Sequence, residues 1–309
     1  MEIEPNLPFL EDLRSRPRAC FSRLLCGLLL LLLAAQTASG QDAPELDPNA
    51  EARRAAAQPL ADRAAKLFTQ GKYPHSIAFL DRALEITPNS AALWTARGWS
   101  FFYLGAMQDA LESFNKALEL NPTRVRALNG KGMTLFSFGR YEESAKLYDR
   151  AIRLAPKRET FWRLKGISLQ HAGRVPRALA AFERALELDP ENKELWKLKG
   201  VALFSLGRYE KALRAFDKAL ELDPTLEDAW MSKASCLVKL GRLEEALPLY
   251  DIALRLNPLS AQILHNKGEA LELLGRSTQA RRLYRKAVAI RPEFTPARQA
   301  LARLDAGLE

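Results

Sequence analysis

The sequence predicts an all-α protein in which one pair of helices is repeated along the chain as a solenoid. Three residue types carry this prediction, because each recurs with a fixed spacing of 34 residues. The recurring positions run from Pro88 to Pro292, from Gly71 to Gly275 and from Ala83 to Ala287. No insertion interrupts the register over seven units, residues 57–294, so the 309 residues are interpreted as tandem repeats rather than as two globular domains.

Residues 1–40 come before the repeats and are predicted to be an export signal that is cleaved after Gly40. Four arginines between residues 14 and 23 precede an apolar run, 24–35, and small residues at Ala38 and Gly40 follow it. Twelve helical residues span about 18 Å, whereas a bilayer's hydrocarbon core is about 30 Å thick, so an uncleaved membrane anchor is the weaker alternative. A wrongly assigned start codon is the third. We therefore expect an exported protein, either periplasmic or secreted.

The cysteines allow no intramolecular disulfide in the exported chain. Cys20 and Cys26 leave with the signal, and Cys236 remains alone. The folded part must therefore derive its stability from its core. The formal net charge of +9 favours acidic partners or anionic surfaces in general.

Each repeat is predicted to contain two antiparallel helices of about 13 residues, each about 20 Å long. In the unit 195–224, Gly207 ends the first helix, because glycine is favoured at C-terminal caps. The second helix ends before Pro224, which cannot continue it. Apolar residues recur at helical spacing in both halves, at Leu195, Leu198, Ala202, Leu203 and Leu206, and then at Ala212, Leu213, Phe216, Ala219 and Leu220. One helix pair cannot bury its apolar face alone, so stacked neighbours must form a continuous core.

The order of residue types within a unit resembles that of the tetratricopeptide repeat family. The matching residues of one unit are Trp196, Gly200, Gly207, Ala212, Phe216, Ala219 and Pro224. The resemblance covers residues 57–294 and implies a right-handed superhelix of seven helix-turn-helix units, with a concave groove lined by the first helices. It also implies protein or peptide binding rather than catalysis. Residues 41–56 are expected to form a polar lead-in with a short helix from Asn49, and residues 295–309 a C-terminal helix that caps the last repeat.

One position departs from the family's pattern, because the residue before the small first-helix residue of each unit, glycine or alanine, is a cation. These cations are Arg63, Arg97, Lys131, Lys165, Lys199, Lys233 and Lys267. Second helices carry acidic residues at a common position of their own, at Asp81, Asp149, Glu183, Asp217 and Asp251. We hypothesise that the two rows form a ladder of ion pairs, with two separate solvated rows as the alternative.

No constellation of residues predicts catalysis, a metal site or a cofactor. His75, His171 and His265 are scattered over different repeats, and none has metal-ligand spacing. Cys236 occupies a position held by serine or alanine in other units, so we interpret it as a small buried residue. The glycines are spaced as helix caps rather than as a phosphate-binding loop. The sequence therefore predicts a protein that is not an enzyme.

Candidate binding residues are the first-helix positions that would face the groove. In the N-terminal half these are Phe68, Trp99, Phe102, Tyr103, Met133 and Phe136, followed by the polar set Arg126, Asn129, Arg163 and Lys197. The matching C-terminal positions hold Lys239, His265, Asn266, Glu269 and Glu272. Exposed aromatic patches often mark binding sites. The alternative is that Trp99, Phe102 and Tyr103 form additional core. The complete set with which the family binds C-terminal carboxylates is not found.

A second candidate site is basic. Residues 276–309 hold eight basic and three acidic residues, and Arg281, Arg282, Arg285 and Lys286 define a patch for an anionic surface. The alternative is a solvated helix face. Nucleic acid is not expected as a partner, because aromatic residues are not interleaved with these charges. Membrane contact is expected only through an uncleaved N-terminal segment or this basic C-terminus.

The function predicted from the sequence is therefore recognition of a peptide or helix of a partner protein in the groove. The alternative is a structural scaffold or assembly subunit of an envelope or secretion complex, which would use its ends, its convex face and the basic C-terminus. The sequence does not indicate an oligomeric state.

Overall fold

The computed structural model of the chain describes residues 49–307. The predicted export signal, residues 1–40, and residues 41–48 of the predicted lead-in lie outside the described residues. Within the described range every regular element is an α-helix, and fifteen helices occur. The all-α prediction is therefore confirmed.

Fourteen of the helices follow one another as seven consecutive pairs, and a single helix follows the last pair. The first helices of the pairs are α1 (Ala50–Thr69), α3 (Ala91–Leu104), α5 (Val125–Ser137), α7 (Glu159–His171), α9 (Lys193–Ser205), α11 (Glu227–Lys239) and α13 (Ala261–Leu273). The second helices are α2 (Tyr73–Ile86), α4 (Met107–Leu120), α6 (Tyr141–Leu154), α8 (Val175–Leu188), α10 (Tyr209–Leu222), α12 (Leu243–Leu256) and α14 (Ser277–Ile290). The final helix is α15 (Thr295–Ala306).

The chain divides into two compact units inside α7, between Ser168 and Leu169. The first unit holds α1–α6 and most of α7, and the second holds the rest of α7 and α8–α15. Within each unit a helix packs mainly against the helices before and after it in the chain. In the first unit α3 also packs against α5, so two first helices lie side by side.

The short helix expected from Asn49 is continuous with the first helix of the repeats. α1 begins at Ala50, so residues 50–56 of the predicted lead-in form its first two turns. Residues 51–56 are exposed, and four of the residues 50–56 are alanine, the strongest helix former. Helix propensity rather than burial therefore extends α1 towards the N-terminus.

The turn within each pair is closed by a glycine in the left-handed conformation. Gly207 has φ +68°, a value that residues with a Cβ rarely adopt. Its N–H donates to the carbonyl of Phe204, and the N–H of Arg208 donates to the carbonyl of Leu203, each at 2.9 Å. These bonds satisfy carbonyl groups at the end of α9. The predicted helix stop at Gly207 is confirmed.

The proline between repeats also accepts a hydrogen bond. The indole N–H of Trp196 donates to the carbonyl oxygen of Pro190 at 2.8 Å. The same bond joins Trp94 to Pro88, Trp162 to Pro156 and Trp230 to Pro224. The recurring tryptophan therefore fixes the start of a first helix against the turn that precedes it.

Small residues in the first helices make room for aromatic rings of the second helices. A Cβ on Gly200 would lie 2.6 Å from the ring of Phe216, and one on Gly268 would lie 2.5 Å from the ring of Tyr284. Both rings are fully buried. Close approach of the two helices of a pair is therefore the reason for glycine at this position.

Candidate functional site

Five aromatic side chains of the first unit gather around the turn after α1 and on the adjacent face of α3. We call Phe68, Tyr73, Trp99, Phe102 and Tyr103 the aromatic cluster. Tyr103 is its centre, because its ring stacks on Tyr73 at 5.6 Å and lies 5.4 Å from Phe68 and 6.0 Å from Trp99. The structure thus brings together four of the candidates predicted from the sequence.

The aromatic cluster is partly core and partly surface. Phe102 is only 8% exposed and belongs to the hydrophobic core, while Phe68, Tyr73, Trp99 and Tyr103 are half-buried. Trp99 rests edge-on against the buried ring of Phe114 at 5.5 Å, and its indole N–H is buried without a hydrogen-bond acceptor. Phe102 is therefore additional core, whereas the four half-buried residues contribute to the surface.

Sequence reasoning missed Tyr73, although a signal for it exists. Tyr73 begins α2 and packs edge-on against Phe68 at 5.4 Å, across the glycine turn. The same Phe-x4-Tyr spacing pairs Phe136 with Tyr141 at 5.0 Å. It also pairs Phe204 with Tyr209 at 5.3 Å. The spacing could have identified Tyr73 as a neighbour of the predicted Phe68.

Two further apolar candidates, Met133 and Phe136, lie on α5 in the first unit. Both are half-buried, and Met133 packs against the same core cluster as Trp99. The half-buried apolar surface of the first unit therefore includes residues of three first helices, α1, α3 and α5.

Two of the polar candidates, Asn129 and Arg163, lie in different surroundings. The side-chain oxygen of Asn129 on α5 is buried and has no hydrogen-bond donor. Arg163 lies 3.1 Å from the carboxylate of Glu159 within α7. The carboxylate of Glu159 therefore partly neutralises the positive charge of Arg163.

Lys197, in the second unit, is a buried cation held between two carboxylates. Its ammonium lies 2.8 Å from Glu194 and 2.9 Å from Asp228. Burial lowers the pKa of Lys197, but Asp228 and then Glu194 outweigh that effect and hold the pKa above its ordinary value. Lys197 is therefore neutralised by carboxylates of its own chain.

Arg126 belongs to a group of arginines that sequence reasoning identified only in part. Arg124 immediately precedes α5, Arg126 lies in its first turn, and Arg158 immediately precedes α7. Burial, and then the neighbouring Arg126, lower the pKa of Arg124, while burial and then Arg158 lower that of Arg126. We call these three residues the arginine cluster. Arg124 and Arg158 were missed because they stand between repeats, outside the first-helix positions considered.

The ladder of ion pairs is present at five of the predicted positions. Each cation lies close to a carboxylate oxygen. The distances are 2.6 Å for Arg97–Asp81, 2.6 Å for Lys165–Asp149, 3.1 Å for Lys199–Glu183 and 2.6 Å for Lys233–Asp217, and Lys267 pairs with Asp251. Each pair joins a second helix to the first helix of the next repeat. Four of these cations also lie over a tryptophan ring at 5.3–5.6 Å, which adds a cation–π contact.

Lys131 is the exception to the ladder. The acidic position opposite it holds Asn115, whose side-chain oxygen is buried without a hydrogen-bond donor. The tryptophan position of this repeat holds Leu128. Burial, and then the charges of Arg150 and Arg140, lower the pKa of Lys131. This repeat boundary, between α4 and α5, therefore lacks an ion pair of the ladder.

The basic C-terminal patch is partly used within the chain. Arg281 lies 2.9 Å from the carboxylate of Asp305 and donates to the carbonyl oxygen of Leu304 at 2.6 Å, so it fastens α15 to α14. Arg282, Arg285 and Lys286 are exposed, and Arg285 lies 3.8 Å from Asp305. The surface available to an anionic partner is therefore smaller than the predicted patch.

Two of the polar residues of α13, His265 and Glu272, contact α14 and the chain that follows it, whereas Glu269 is exposed. Glu272 lies 2.8 Å from Arg303 and accepts a hydrogen bond from Tyr284 at 2.9 Å. His265 packs between the rings of Tyr284 and Phe294 at 5.5 and 5.6 Å. Burial, and then Arg303, lower the pKa of His265 to about 4, against the opposing effect of Glu272. His265 is therefore neutral at pH 7 and part of the core.

The interpretation of Cys236 as a small buried residue is confirmed. Its side chain is fully buried, and burial raises the pKa of its thiol to about 12, so the nucleophilic thiolate is disfavoured. Between residues 49 and 307, no group of three or more histidine, cysteine, aspartate or glutamate side chains could hold a metal ion. No helix in that range is both long and apolar enough to cross a bilayer.

Repeated helix pairs, closed by glycine turns and joined through tryptophan–proline contacts, define a tetratricopeptide repeat protein. A model of the tetratricopeptide repeat matches residues 91–124. The chain belongs to the family described as the Cilia and flagella-associated protein 70 C-terminal domain, whose model matches residues 122–308, more than half of its length. No curated protein matches the chain.

Solved structures of the same fold include several from bacteria. YrrB, described as a TPR protein with an unusual peptide-binding site, is 26% identical, with a TM-score of 0.50, over 62% of this chain and 98% of that one. A tetratricopeptide repeat protein from Parabacteroides merdae is 16% identical, with a TM-score of 0.63, over 80% of this chain and 98% of that one. The C-terminal part of a TPR repeat-containing protein from Cytophaga hutchinsonii is 20% identical, with a TM-score of 0.63, over 78% of this chain and 98% of that one. These structures confirm the predicted all-α tetratricopeptide repeat solenoid.

Proposed function

We propose that this protein binds a peptide or helix of a partner protein, and that the aromatic cluster is its principal docking surface. Large aromatic side chains supply much of the binding energy at protein interfaces. Here four of them, Phe68, Tyr73, Trp99 and Tyr103, stay half-buried on one face. Elsewhere the position of Tyr103 holds smaller or polar residues, such as Ser137, Ser205 and Lys239.

The repeat fold suits this role, because helices that are packed before binding lose little conformational freedom when a ligand arrives. YrrB, the similar protein with a peptide-binding site, supports the same use of the fold here. We further propose that the chain has no catalytic activity of its own and acts through recognition alone.

The test uses the full chain and a library of random-sequence dodecapeptides with amidated C-termini. We expect the parent to retain peptides with large apolar residues, and Trp99→Ala/Tyr103→Ala to retain them at least about tenfold less, as for loss of interface hot spots. Phe138→Ala/Leu154→Ala is the matched control, since both side chains are more than 40% exposed and lie outside the cluster. Equal retention by the parent and the cluster variant, at equal helical content, contradicts the proposal.

Export is a separate part of the proposal, and it rests on the N-terminal signal pattern. We expect the protein isolated from its native host to begin at Gln41. Mass spectrometry of the intact protein measures this directly. A protein that still begins near Met1 would argue against a cleaved signal.

A scaffold role is the second candidate function, and exposed leucines on second helices favour it. Leu188, Leu222 and Leu256 are 39–43% exposed at matching positions of α8, α10 and α12 in the second unit. Apolar side chains in such a row can dock another protein. Replacing all three by glutamine should then abolish assembly with the partner while leaving peptide binding by the aromatic cluster intact.

A further inference from the structure

The arginine cluster of the first unit is not neutralised by the protein. Within the described residues, none of Arg124, Arg126 and Arg158 forms an ion pair with a carboxylate. Arg124 donates from its side-chain Nε to the hydroxyl of Thr95 on α3 at 2.7 Å, and Arg158 lies over the ring of Phe161 at 5.5 Å. Three cations therefore share one end of the first helices, where the carboxylate of Glu159 pairs with Arg163 instead.

The placement of these arginines works against local helix stability. Ser90, Asn192 and Ser260 occupy the matching position in other repeats, and each accepts a hydrogen bond from a backbone N–H of the helix that follows. An arginine cannot accept such a bond, and α5 has no side-chain cap at Arg124. A cation also opposes the positive end of the helix dipole. The sequence places two arginines where their local effect is unfavourable.

The second unit shows the opposite charge at the position of Arg126. Glu194 and Asp228 stand at the position of Arg126 in later repeats, and together they hold the buried Lys197. In the second unit, cation and carboxylates thus come from the same chain. In the first unit the position of those carboxylates is taken by Arg126, so a partner can supply the complementary anion.

We propose that the arginine cluster binds aspartate or glutamate side chains of an extended partner segment, whose apolar side chain packs on the aromatic cluster. This inference rests on the proposed function and names the chemistry of the partner. Arginine suits the task, because its planar group can bind a carboxylate through two hydrogen bonds.

Helix geometry sets the spacing expected in the partner. Arg124 is fastened at Thr95, and Trp99 and Tyr103 lie four and eight residues further along α3. At about 1.5 Å per residue these positions are about 6 and 12 Å from Thr95. An extended chain covers that distance in about two to four residues. The partner should therefore carry its acidic residue two to four positions from its apolar anchor.

The experiment compares peptides retained by four full-length proteins from the same amidated dodecapeptide library. These proteins are the parent, Arg124→Gln/Arg126→Gln/Arg158→Gln, Trp99→Ala/Tyr103→Ala and the control Arg153→Gln/Arg177→Gln/Arg214→Gln. The control removes the same charge from exposed arginines of second helices. Amidation removes the terminal carboxylate, so only aspartate and glutamate can supply the anion. Circular dichroism checks that all four have the same helical content.

We expect the parent and the control to retain peptides enriched in aspartate and glutamate at the stated spacing. The arginine-cluster variant should lose that enrichment, with about tenfold lower retention of acidic peptides, because a charge-assisted hydrogen bond is lost. The enrichment should also weaken as sodium chloride rises from 0.05 to 0.5 M.

Four results would overturn the inference. Retained peptides without acidic enrichment, or an enrichment unchanged in the arginine-cluster variant, would refute it while leaving the aromatic docking surface in place. Retention only of peptides with a free C-terminal carboxylate, in a parallel library, would show that the α-carboxylate is the anion instead. No retention by the parent would refute both this inference and the proposed function.

Discussion

The ammonium of Lys233 at the middle of α11 lies 2.6 Å from the carboxylate of Asp217 on α10. The pair joins the second helix of one repeat to the first helix of the next. A Lys233→Met/Asp217→Asn double-mutant cycle should give a coupling free energy of about 0.5–1 kcal/mol, since both groups are partly exposed. Urea unfolding at 0.05 M sodium chloride measures it, and 1 M salt should reduce it. A coupling that is zero at low salt would show that the ladder does not stabilise the fold.

Replacing Asn115 by aspartate should complete the missing ion pair with Lys131. The new carboxylate would face a cation whose pKa is lowered by burial and by Arg150 and Arg140. We expect Asn115→Asp to raise the free energy of unfolding by about 0.5–1 kcal/mol at low salt. The gain should vanish in Asn115→Asp/Lys131→Met. A variant less stable than the parent would mean that burying the carboxylate costs more than pairing it provides.

Two tryptophans should respond differently to the same substitution. Trp196 donates its indole N–H to Pro190 at 2.8 Å, whereas the indole N–H of Trp99 is buried without an acceptor. Trp196→Phe should therefore destabilise the protein by about 1 kcal/mol more than Trp99→Phe, because the two changes remove the same ring atoms and only one breaks a hydrogen bond. Thermal unfolding of both variants provides the comparison. Equal losses of stability in the two variants would show that the Trp196–Pro190 hydrogen bond adds no net stability.

Stability should fall between pH 6.5 and pH 4 because of His265. Its folded pKa of about 4 is below the ordinary value of 6.5, so in this window the unfolded chain binds the proton and the folded chain does not. Glu269, Glu272 and Arg303 are the charged groups around it. We expect a loss of about 2–3 kcal/mol at pH 4 relative to pH 7.

The control for the pH prediction is a second histidine. His265→Gln should flatten the loss between pH 6.5 and pH 4, measured by urea unfolding, whereas His75→Gln at an exposed position should leave the profile unchanged. An identical profile for the parent and His265→Gln would show that other groups set the pH dependence.

The fold could be predicted from the sequence largely because its signals recur. Gly207 and Pro224 mark helix ends by their own backbone chemistry, and every repeat restates the same marks. A helix from Asn49 could be predicted, but its continuity with the first repeat could not, because residues 50–56 carry no apolar pattern. Five ion pairs of the ladder could also be predicted, because basic and acidic residues recur at fixed positions of the repeat.

The candidate site was less predictable, because it depends on where repeats differ. Trp99 and Tyr103 stand out as surplus aromatic residues, but how far each is covered follows from rings such as Phe114 beneath them. Its first-helix position suggested Lys197 as a groove-facing residue, whereas Glu194 and Asp228 hold its ammonium. Arg124 and Arg158 escaped notice because they replace helix caps, and a missing cap gives no signal of its own.

The break in the ladder at Asn115 has a consequence for how the solenoid comes apart. At this boundary no ion pair of the ladder joins α4 to α5, and the ring of Phe114 packs against Gly130 so closely that a Cβ there would lie 2.2 Å from it. In tandem repeats, neighbour-to-neighbour coupling decides how many units open together. Salt weakens the coupling wherever an ion pair contributes and leaves this junction unaffected. In dilute buffer the two N-terminal helix pairs should therefore unfold together, before the rest of the chain. In concentrated salt, the free energy needed to separate neighbouring repeats should become similar at the other boundaries.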